Sequence, residues 1–168
     1  MGPKTRVVVA AAAVAFAMVA HTWATLPNVR LLAREAPEST AFMRLREAQA
    51  ADADRPRRRQ YRWVSYNRIS PHLKRAVIVA EDAAFWQHEG LDFDEIKASI
   101  ESNWMRGEFA RGASTITQQL AKNLYLSPSR NPYRKVRELF IARRLEAELS
   151  KRRIFELYLN LIEWGDGI

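Results

Sequence analysis

Cysteine is absent from the 168-residue chain, and histidine occurs only three times, as His21, His72 and His88. Without cysteine the chain has no disulfide, no thiolate nucleophile and no cysteine-ligated zinc site. So few histidines also disfavour a histidine-rich metal centre. Any chemistry must therefore rest mostly on carboxylates and basic groups.

Acidic residues are in the minority. The chain has 27 lysines and arginines against 19 aspartates and glutamates, which gives a net charge of +8 and a pI of about 10.2. Such an excess predicts an anionic partner: a nucleic acid, an anionic membrane surface or a phosphorylated substrate.

The long hydrophobic run lies at the N-terminus. Lys4 and Arg6 precede an apolar segment, residues 7–20, that continues through Trp23. We predict a transmembrane signal anchor over residues 7–26, with residues 1–6 in the cytoplasm and all later residues outside it. A cleaved signal peptide is the alternative, but no small-x-small cleavage site follows the run.

Residues 27–59 are predicted to form a stem or linker. A basic cluster lies at and just after its end, together with Tyr61 and Trp63; the cluster comprises Arg55, Arg57, Arg58, Arg59 and Arg62. A solvated linker is the favoured interpretation. The more specific functional interpretation is that the cluster contacts lipid phosphates, because it lies close to the anchor in sequence. Basic residues among aromatics also suit nucleic acid, but an exported chain rarely meets any, so we expect no nucleic-acid partner.

Helix-start signals recur from residue 70 onward, and no alternating strand pattern separates them. The signals are Ser70-Pro71, Asp92 with Glu95, Ser114 or Thr115 with Gln118, Asn131-Pro132, and Ser150. The last helix is expected to run through Leu161 and end near Gly165. The sequence therefore predicts an all-α domain over residues 60–168.

Glu81 is the first candidate catalytic residue. Its neighbours three and four positions away are apolar: Val77, Ile78, Ala84 and Phe85. Apolar surroundings would make the carboxylate a better base, and His88 would return to the same side if the helix continued. An ordinary surface glutamate at a helix end is the alternative.

A glycine-containing loop enters the third predicted helix at Gly112. Free backbone N–H groups at such an entry suit an oxyanion or a phosphate. Polar side chains surround it: Ser114, Thr115, Gln118, Gln119 and Lys122. A well-capped structural helix would explain Ser114 and Thr115 but leave the paired glutamines unexplained.

The fourth predicted helix carries Arg134, Lys135 and Glu138 at spacings that let both cations reach the acid. An exposed ion pair is the default interpretation. Because Ile141 and Leu145 share that side of the helix, half-buried charge and an anionic substrate are favoured instead. The pattern of the fifth predicted helix, which starts at Ser150, is typical of an amphipathic core helix. Asn160 on this helix is expected to brace a neighbouring segment.

Taken together, four motifs resemble the signature set of the peptidoglycan glycosyltransferases, glycosyltransferase family 51. The motifs are Glu81-Asp82-x-x-Phe85-x-x-His88-x-Gly90, Gly112-x-Ser114-Thr115-Ile116-Thr117-Gln118-Gln119, Arg134-Lys135-x-x-Glu138, and Lys151-x-x-Ile154-x-Glu156-x-Tyr158-Leu159-Asn160. The closing Glu163-Trp164-Gly165-Asp166-Gly167 and the short stem point to the monofunctional branch, which has one anchor and one domain.

The resemblance implies a lysozyme-like helical fold on the outer face of the bacterial inner membrane. It also implies inverting glycosyl transfer, in which lipid II is added to a glycan chain linked to undecaprenyl pyrophosphate. Glu81 would deprotonate the acceptor hydroxyl, and Glu138 with Arg134 and Lys135 would assist departure of the pyrophosphate. Undecaprenyl pyrophosphate would be released.

Further residues match positions that bind the substrate in this family, namely Asp82, His88, Ser114, Thr115, Gln118, Gln119, Lys122 and Asn160. No cofactor is expected to be required, and a divalent metal such as Mg²⁺ or Mn²⁺ is left open. Besides the lipid-linked substrates and the membrane, proteins of cell-wall synthesis or division are the partners that the resemblance suggests.

The sequence departs from the family pattern at its end. The chain stops at Ile168, before the helices and the fifth motif that the family's domains carry, so we expect weak or no activity from this chain. A lytic transglycosylase or lysozyme is the alternative enzyme, although Arg134 and Lys135 would have no pyrophosphate to neutralise there. An inactive membrane-tethered scaffold is the alternative that is not an enzyme.

Overall fold

A computed structural model describes residues 2–53, 61–107, 112–129 and 131–164. Within these ranges the protein forms seven α-helices, two short 3₁₀ turns and no strand. The helices are α1 (Pro3–Ala24), α2 (Ala41–Asp52), α3 (Pro71–Glu81), α4 (Phe93–Arg106), α5 (Ile116–Tyr125), α6 (Pro132–Glu148) and α7 (Lys151–Leu161), and the 3₁₀ turns are Arg30–Ala33 and Tyr66–Arg68. The all-α prediction is confirmed, and the architecture is consistent with a lysozyme-like helical domain.

The predicted helix starts lie where the helices begin. Thr115 and Gln118 form a complete capping box at α5. At α4, α6 and α7 the side chains of Asp92, Asn131 and Ser150 each accept a backbone N–H of the first turn. Ser70 is also the residue before its helix, although its side chain makes no capping hydrogen bond.

One predicted helix end is wrong, and the condition that was set for His88 is not met. The helix α3 ends at Glu81, and Asp82 adopts a non-helical backbone, so His88 is not carried on a continuation of that helix. The helix α7 ends at Leu161 instead of near Gly165, because Ile162 is already extended. Gly165 itself lies outside the described residues.

The hydrophobic core is built around α5, which packs against both α6 and α7. Fully buried side chains from the three helices meet there: Ile116 and Leu120 from α5, Ile141 and Leu145 from α6, and Ile154 and Leu157 from α7. Because α5 is enclosed in this way, its N-terminal end is held at a fixed place between α3 and α6.

The segment between α1 and α2 contributes to this core, although the sequence predicted a linker for residues 27–59. Val29 and Leu32 are buried in the same cluster as the helices of the domain. Arg153 of α7 donates to the backbone oxygen atoms of Leu32 and Glu35, at 2.6 and 2.8 Å. The predicted boundary at residue 60 therefore does not coincide with a boundary in packing. Of the basic cluster, residues 55, 57, 58 and 59 lie outside the described residues.

The helix α1 is exposed along nearly its whole length, and its length and composition are sufficient to cross a membrane. Its C-terminal end contacts α6. The rings of Trp23 and Phe140 meet edge to face at 6.4 Å. The Arg137 guanidinium donates to the side chain and backbone oxygen atoms of Thr25, each at 3.2 Å, so the apolar helix is fixed to the helical domain at one end.

Candidate active site

Glu81 is the last residue of α3, and its side chain is exposed. The predicted apolar surroundings are wrong, because the chain leaves the helix after Glu81 and takes Phe85 into the core instead. One carboxylate oxygen, Oε2, accepts a hydrogen bond from Gln119 Nε2 at 2.9 Å. Glu81 is therefore a solvent-facing carboxylate that one amide of α5 holds in place.

Asp82 and His88 form a buried bracket directly behind Glu81. His88 Nε2 lies 3.0 Å from both carboxylate oxygens of Asp82. The same carboxylate accepts the backbone N–H of Ile116, the first residue of α5, at 2.9 Å. His88 Nδ1 accepts the backbone N–H of Gly90 at 3.1 Å. This network ties the turn after α3 to the N-terminal end of α5.

Thr115 and Gln118 complete the same bracket. The Thr115 hydroxyl donates to the backbone oxygen of Gly90 at 2.7 Å, and Gln118 Oε1 accepts the Thr115 backbone N–H at 2.9 Å. Both side chains are buried. Capping thus accounts for Gln118, whereas the adjacent Gln119 points to Glu81.

The predicted cluster of charges on α6 is present, with a buried carboxylate and two partly exposed cations. Glu138 is only 3% exposed. Arg134 Nη1 lies 2.6 Å from Glu138 Oε2, and Lys135 Nζ lies 2.5 Å from Glu138 Oε1. Two cations share one carboxylate, so the cluster keeps one positive charge. The Lys135 side chain is about half exposed, at 44%.

Ser114 joins the two halves of the site. Lys135 Nζ donates to the Ser114 hydroxyl at 3.2 Å, and Gln119 Nε2 lies 3.5 Å from the Ser114 backbone oxygen. A continuous series of polar contacts therefore runs from Glu81 through Gln119, Ser114 and Lys135 to Glu138. The structure thus links the exposed Glu81 to the buried Glu138, the two predicted catalytic glutamates.

Lys122 and Asn160 make their contacts elsewhere. The Lys122 ammonium lies 5.8 Å from the centre of the Phe42 ring in α2. Asn160 exchanges two hydrogen bonds with the backbone of Val64, at 2.8 and 3.0 Å. This contact is the bracing of a neighbouring segment that the sequence suggested for Asn160.

Tyr158 is the polar residue of this region that sequence reasoning did not select. Its hydroxyl donates to Gln119 Oε1 at 3.0 Å. Burial raises the pKa of Tyr158, and the negative charges of Glu81 and Asp82 raise this pKa further. The signal was present in the fourth motif, but a tyrosine on an amphipathic helix is also an ordinary core residue.

Asp82, His88 and Asp92 are close enough together to be tested as ligands for a divalent cation. They do not fit one. Both ring nitrogens of His88 are engaged in hydrogen bonds, and the Asp82 carboxylate already accepts from His88 and Ile116. Asp92 caps α4. A metal here would have to break the bracket that holds α5.

The comparisons with known proteins agree with the motifs. The model of the family described as Transglycosylase matches residues 46–168. The chain is 53% identical over 132 residues to the biosynthetic peptidoglycan transglycosylase of Laribacter hongkongensis, covering 79% of this chain and 58% of the relative. It is 55% identical over 133 residues to the protein of the same name from Methylobacillus flagellatus, with the same coverage.

A third relative, the biosynthetic peptidoglycan transglycosylase of Nitrosospira multiformis, is 52% identical over 132 residues, which is 79% of this chain and 57% of the relative. The chain thus spans slightly more than half the length of the curated relatives it matches. The family match covers most of the chain, including all four motifs and the whole series of contacts from Glu81 to Glu138. The chain belongs to the transglycosylase family.

Proposed function

We propose that this protein is a peptidoglycan glycosyltransferase that acts in cell-wall synthesis. The substrates would be lipid II and a growing glycan strand linked to undecaprenyl pyrophosphate. One observation carries the proposal: an exposed carboxylate, Glu81, and a pair of cations, Arg134 and Lys135, lie at opposite ends of one series of contacts. Transfer from a pyrophosphate-linked sugar needs a base for the acceptor and positive charge for the leaving group.

In this proposal Glu81 removes the proton from the acceptor hydroxyl as its oxygen attacks C1 of the donor sugar. The carboxylate is exposed, so an acceptor can reach it, and its Oε2 accepts a hydrogen bond from Gln119. Gln119 leaves the second carboxylate oxygen free of that contact. Glu81 can therefore take a proton on its other oxygen, Oε1, and keep the hydrogen bond that Gln119 donates to Oε2.

Arg134 and Lys135 would take up the negative charge that develops on the pyrophosphate. Glu138 uses both of its oxygen atoms to hold the two cations, and its burial keeps them in place. Lys135 is exposed enough to turn from Glu138 and Ser114 toward a phosphate. The positive charge of this step comes from the two side chains, and no step is routed through a metal.

The remaining predicted site residues have supporting roles in this proposal. Asp82, His88, Thr115 and Gln118 are occupied in the buried bracket, so they would position Glu81 and Ser114. Lys122 lies one helical turn beyond Gln119 on α5 and would meet the lipid-linked substrate near its pyrophosphate. Asn160 would hold the segment that contains Val64.

The helix α1 would anchor the protein in the cytoplasmic membrane with the catalytic domain on the outer face. Its exposed apolar surface and the preceding Lys4 and Arg6 support this orientation. The contact of Thr25 with Arg137 would hold α6, and so the cation pair, close to the membrane surface. Alkaline carbonate washing of membranes tests the anchor: we expect the protein to stay in the pellet, and its release would contradict the proposal.

Offering the two possible substrates separately tests the function. The protein would be incubated with fluorescent lipid II in detergent and, in parallel, with purified sacculi. The proposal expects the protein to form, even at a low rate, glycan strands from lipid II that a muramidase then digests, and no soluble fragments from sacculi. Soluble muropeptides from sacculi without polymerisation would instead establish a lytic enzyme.

A further inference from the structure

Three side chains from three different helices form a directed chain of hydrogen bonds. The Tyr158 hydroxyl of α7 donates to Gln119 Oε1 of α5 at 3.0 Å, and Gln119 Nε2 donates to Glu81 Oε2 of α3 at 2.9 Å. Resting on the proposed function, we infer that Tyr158 is a positioning residue for the catalytic base, acting through the carboxamide of Gln119.

The direction of this chain depends on Tyr158. A carboxamide has two ends of similar shape, one that accepts and one that donates hydrogen bonds. Tyr158 is 1% exposed, and its burial raises its pKa, so the phenol stays protonated and donates. The Tyr158 O–H can donate only to the oxygen of the Gln119 carboxamide. The NH₂ group of Gln119 therefore faces Glu81.

This constraint matters most after Glu81 has taken a proton. A neutral carboxylic acid can donate to an amide oxygen, so an unconstrained Gln119 could turn over and stabilise the protonated form. Because Tyr158 holds the amide oxygen, the NH₂ group remains against Glu81 in both states. Gln119 therefore favours return of Glu81 to the carboxylate for the next transfer.

The support of this chain is rigid. Tyr158 lies in the middle of α7, its ring packs edge to face against Trp164 at 5.8 Å, and α7 packs along α5. Gln119 is anchored on α5, whose first residue is bound by Asp82. The distance between the tyrosine hydroxyl and the amide is thus set by helix packing.

The substitution Tyr158→Phe removes the hydroxyl and keeps the ring. We expect kcat for lipid II polymerisation to fall about five- to tenfold, the effect of one lost hydrogen bond, with KM within about twofold of the original. Tyr125→Phe is the matched control. Tyr125 is another tyrosine of the domain, partly buried, and burial raises its pKa as it does that of Tyr158, but Tyr125 lies at the far end of α5 from Thr115.

NMR spectroscopy tests, without any catalytic turnover, whether Tyr158 orients the side-chain amide of Gln119. The side-chain amide signals of Gln119 in the ¹⁵N-labelled protein would be assigned by their loss in Gln119→Met. We expect Tyr158→Phe to shift them and Tyr125→Phe to leave them in place. Unmoved Gln119 signals in Tyr158→Phe would overturn the inference, as would an unchanged kcat. If the unsubstituted protein makes no glycan from lipid II, the proposed function fails while the amide signals still decide the role of Tyr158.

Discussion

At the scale of single residues, Glu138 and Glu148 lie on the same helix and each binds an arginine in a different environment. Glu138 is buried between Arg134 and Lys135. Glu148 binds Arg30, whose side chain is 71% exposed. Losing the acidic partner costs more stability for Arg134 than for Arg30, because the partly buried Arg134 has less solvent to replace the lost partner.

We therefore expect Glu138→Gln to lower the free energy of unfolding by about 1–3 kcal/mol, since Arg134 loses its charge partner in a half-buried place. Glu148→Gln should change it by less than about 1 kcal/mol. Urea unfolding in detergent, followed by tryptophan fluorescence, measures both. Equal losses in the two variants would show that Glu138 is not buried in an ion pair.

The adjacent glutamines show how far residue-level prediction from the sequence reaches. The spacing of Thr115 and Gln118 predicts a capping box, and the structure has one. The same spacing does not reveal which glutamine reaches Glu81, because Glu81 and Gln119 are 38 positions apart and the chain between them must fold first. Tyr158 could not be selected for the same reason: its partner is on another helix.

At the scale of structural elements, the turn between α3 and α4 is fixed by Gly90. Its φ is +86°, a conformation that L side chains rarely adopt. A Cβ at this position would lie 3.0 Å from Cγ of Glu146 on α6. Gly107, at the end of α4, also has a positive φ, but among the described residues, its chain neighbours aside, no atom lies within 4 Å of its Cβ position.

Comparing Gly90 with Gly107 separates the energetic cost of a left-handed backbone from the cost of steric crowding. We expect Gly107→Ala to lower the unfolding free energy by about 1–2 kcal/mol, the cost of the left-handed backbone alone. Gly90→Ala should cost about 2–4 kcal/mol because the crowding against Glu146 is added. The same urea titration measures both variants. A Gly107→Ala variant as unstable as Gly90→Ala would contradict the role of Glu146 in crowding this turn.

Helix starts were predictable from the sequence because caps act locally. Thr115, Asn131 and Ser150 each bind a backbone N–H within three residues. The end of α3 was not predictable, because the residue after it is held by a distant group. Asp82 leaves the helix and binds the backbone N–H of Ile116, which is 34 positions away.

At the scale of the whole molecule, the all-α class followed from helix signals and from the lack of strand patterns, and the site followed from motif order. The packing of the segment after α1 did not follow. Val29 and Leu32 join the core, although their surroundings in sequence are polar and rich in alanine. Arg153 of α7 binds the backbone of that segment, a contact between distant parts of the sequence that no local pattern indicates.

The central claim is that Glu81 is the base and that the domain places it within one site with the cations of α6. Glu81→Gln keeps the shape and a hydrogen-bonding side chain but removes the base. Asp94→Asn, at an exposed carboxylate in the first turn of α4, is the matched control.

The decisive measurement is the rate of lipid II polymerisation by these two variants and the unsubstituted protein, with lipid II binding measured in parallel. We predict that Glu81→Gln lowers the rate about 10²- to 10⁴-fold while binding changes by less than about threefold, and that Asp94→Asn polymerises at the original rate. A Glu81→Gln variant that keeps more than about a tenth of the rate would contradict the assignment of Glu81 as the base.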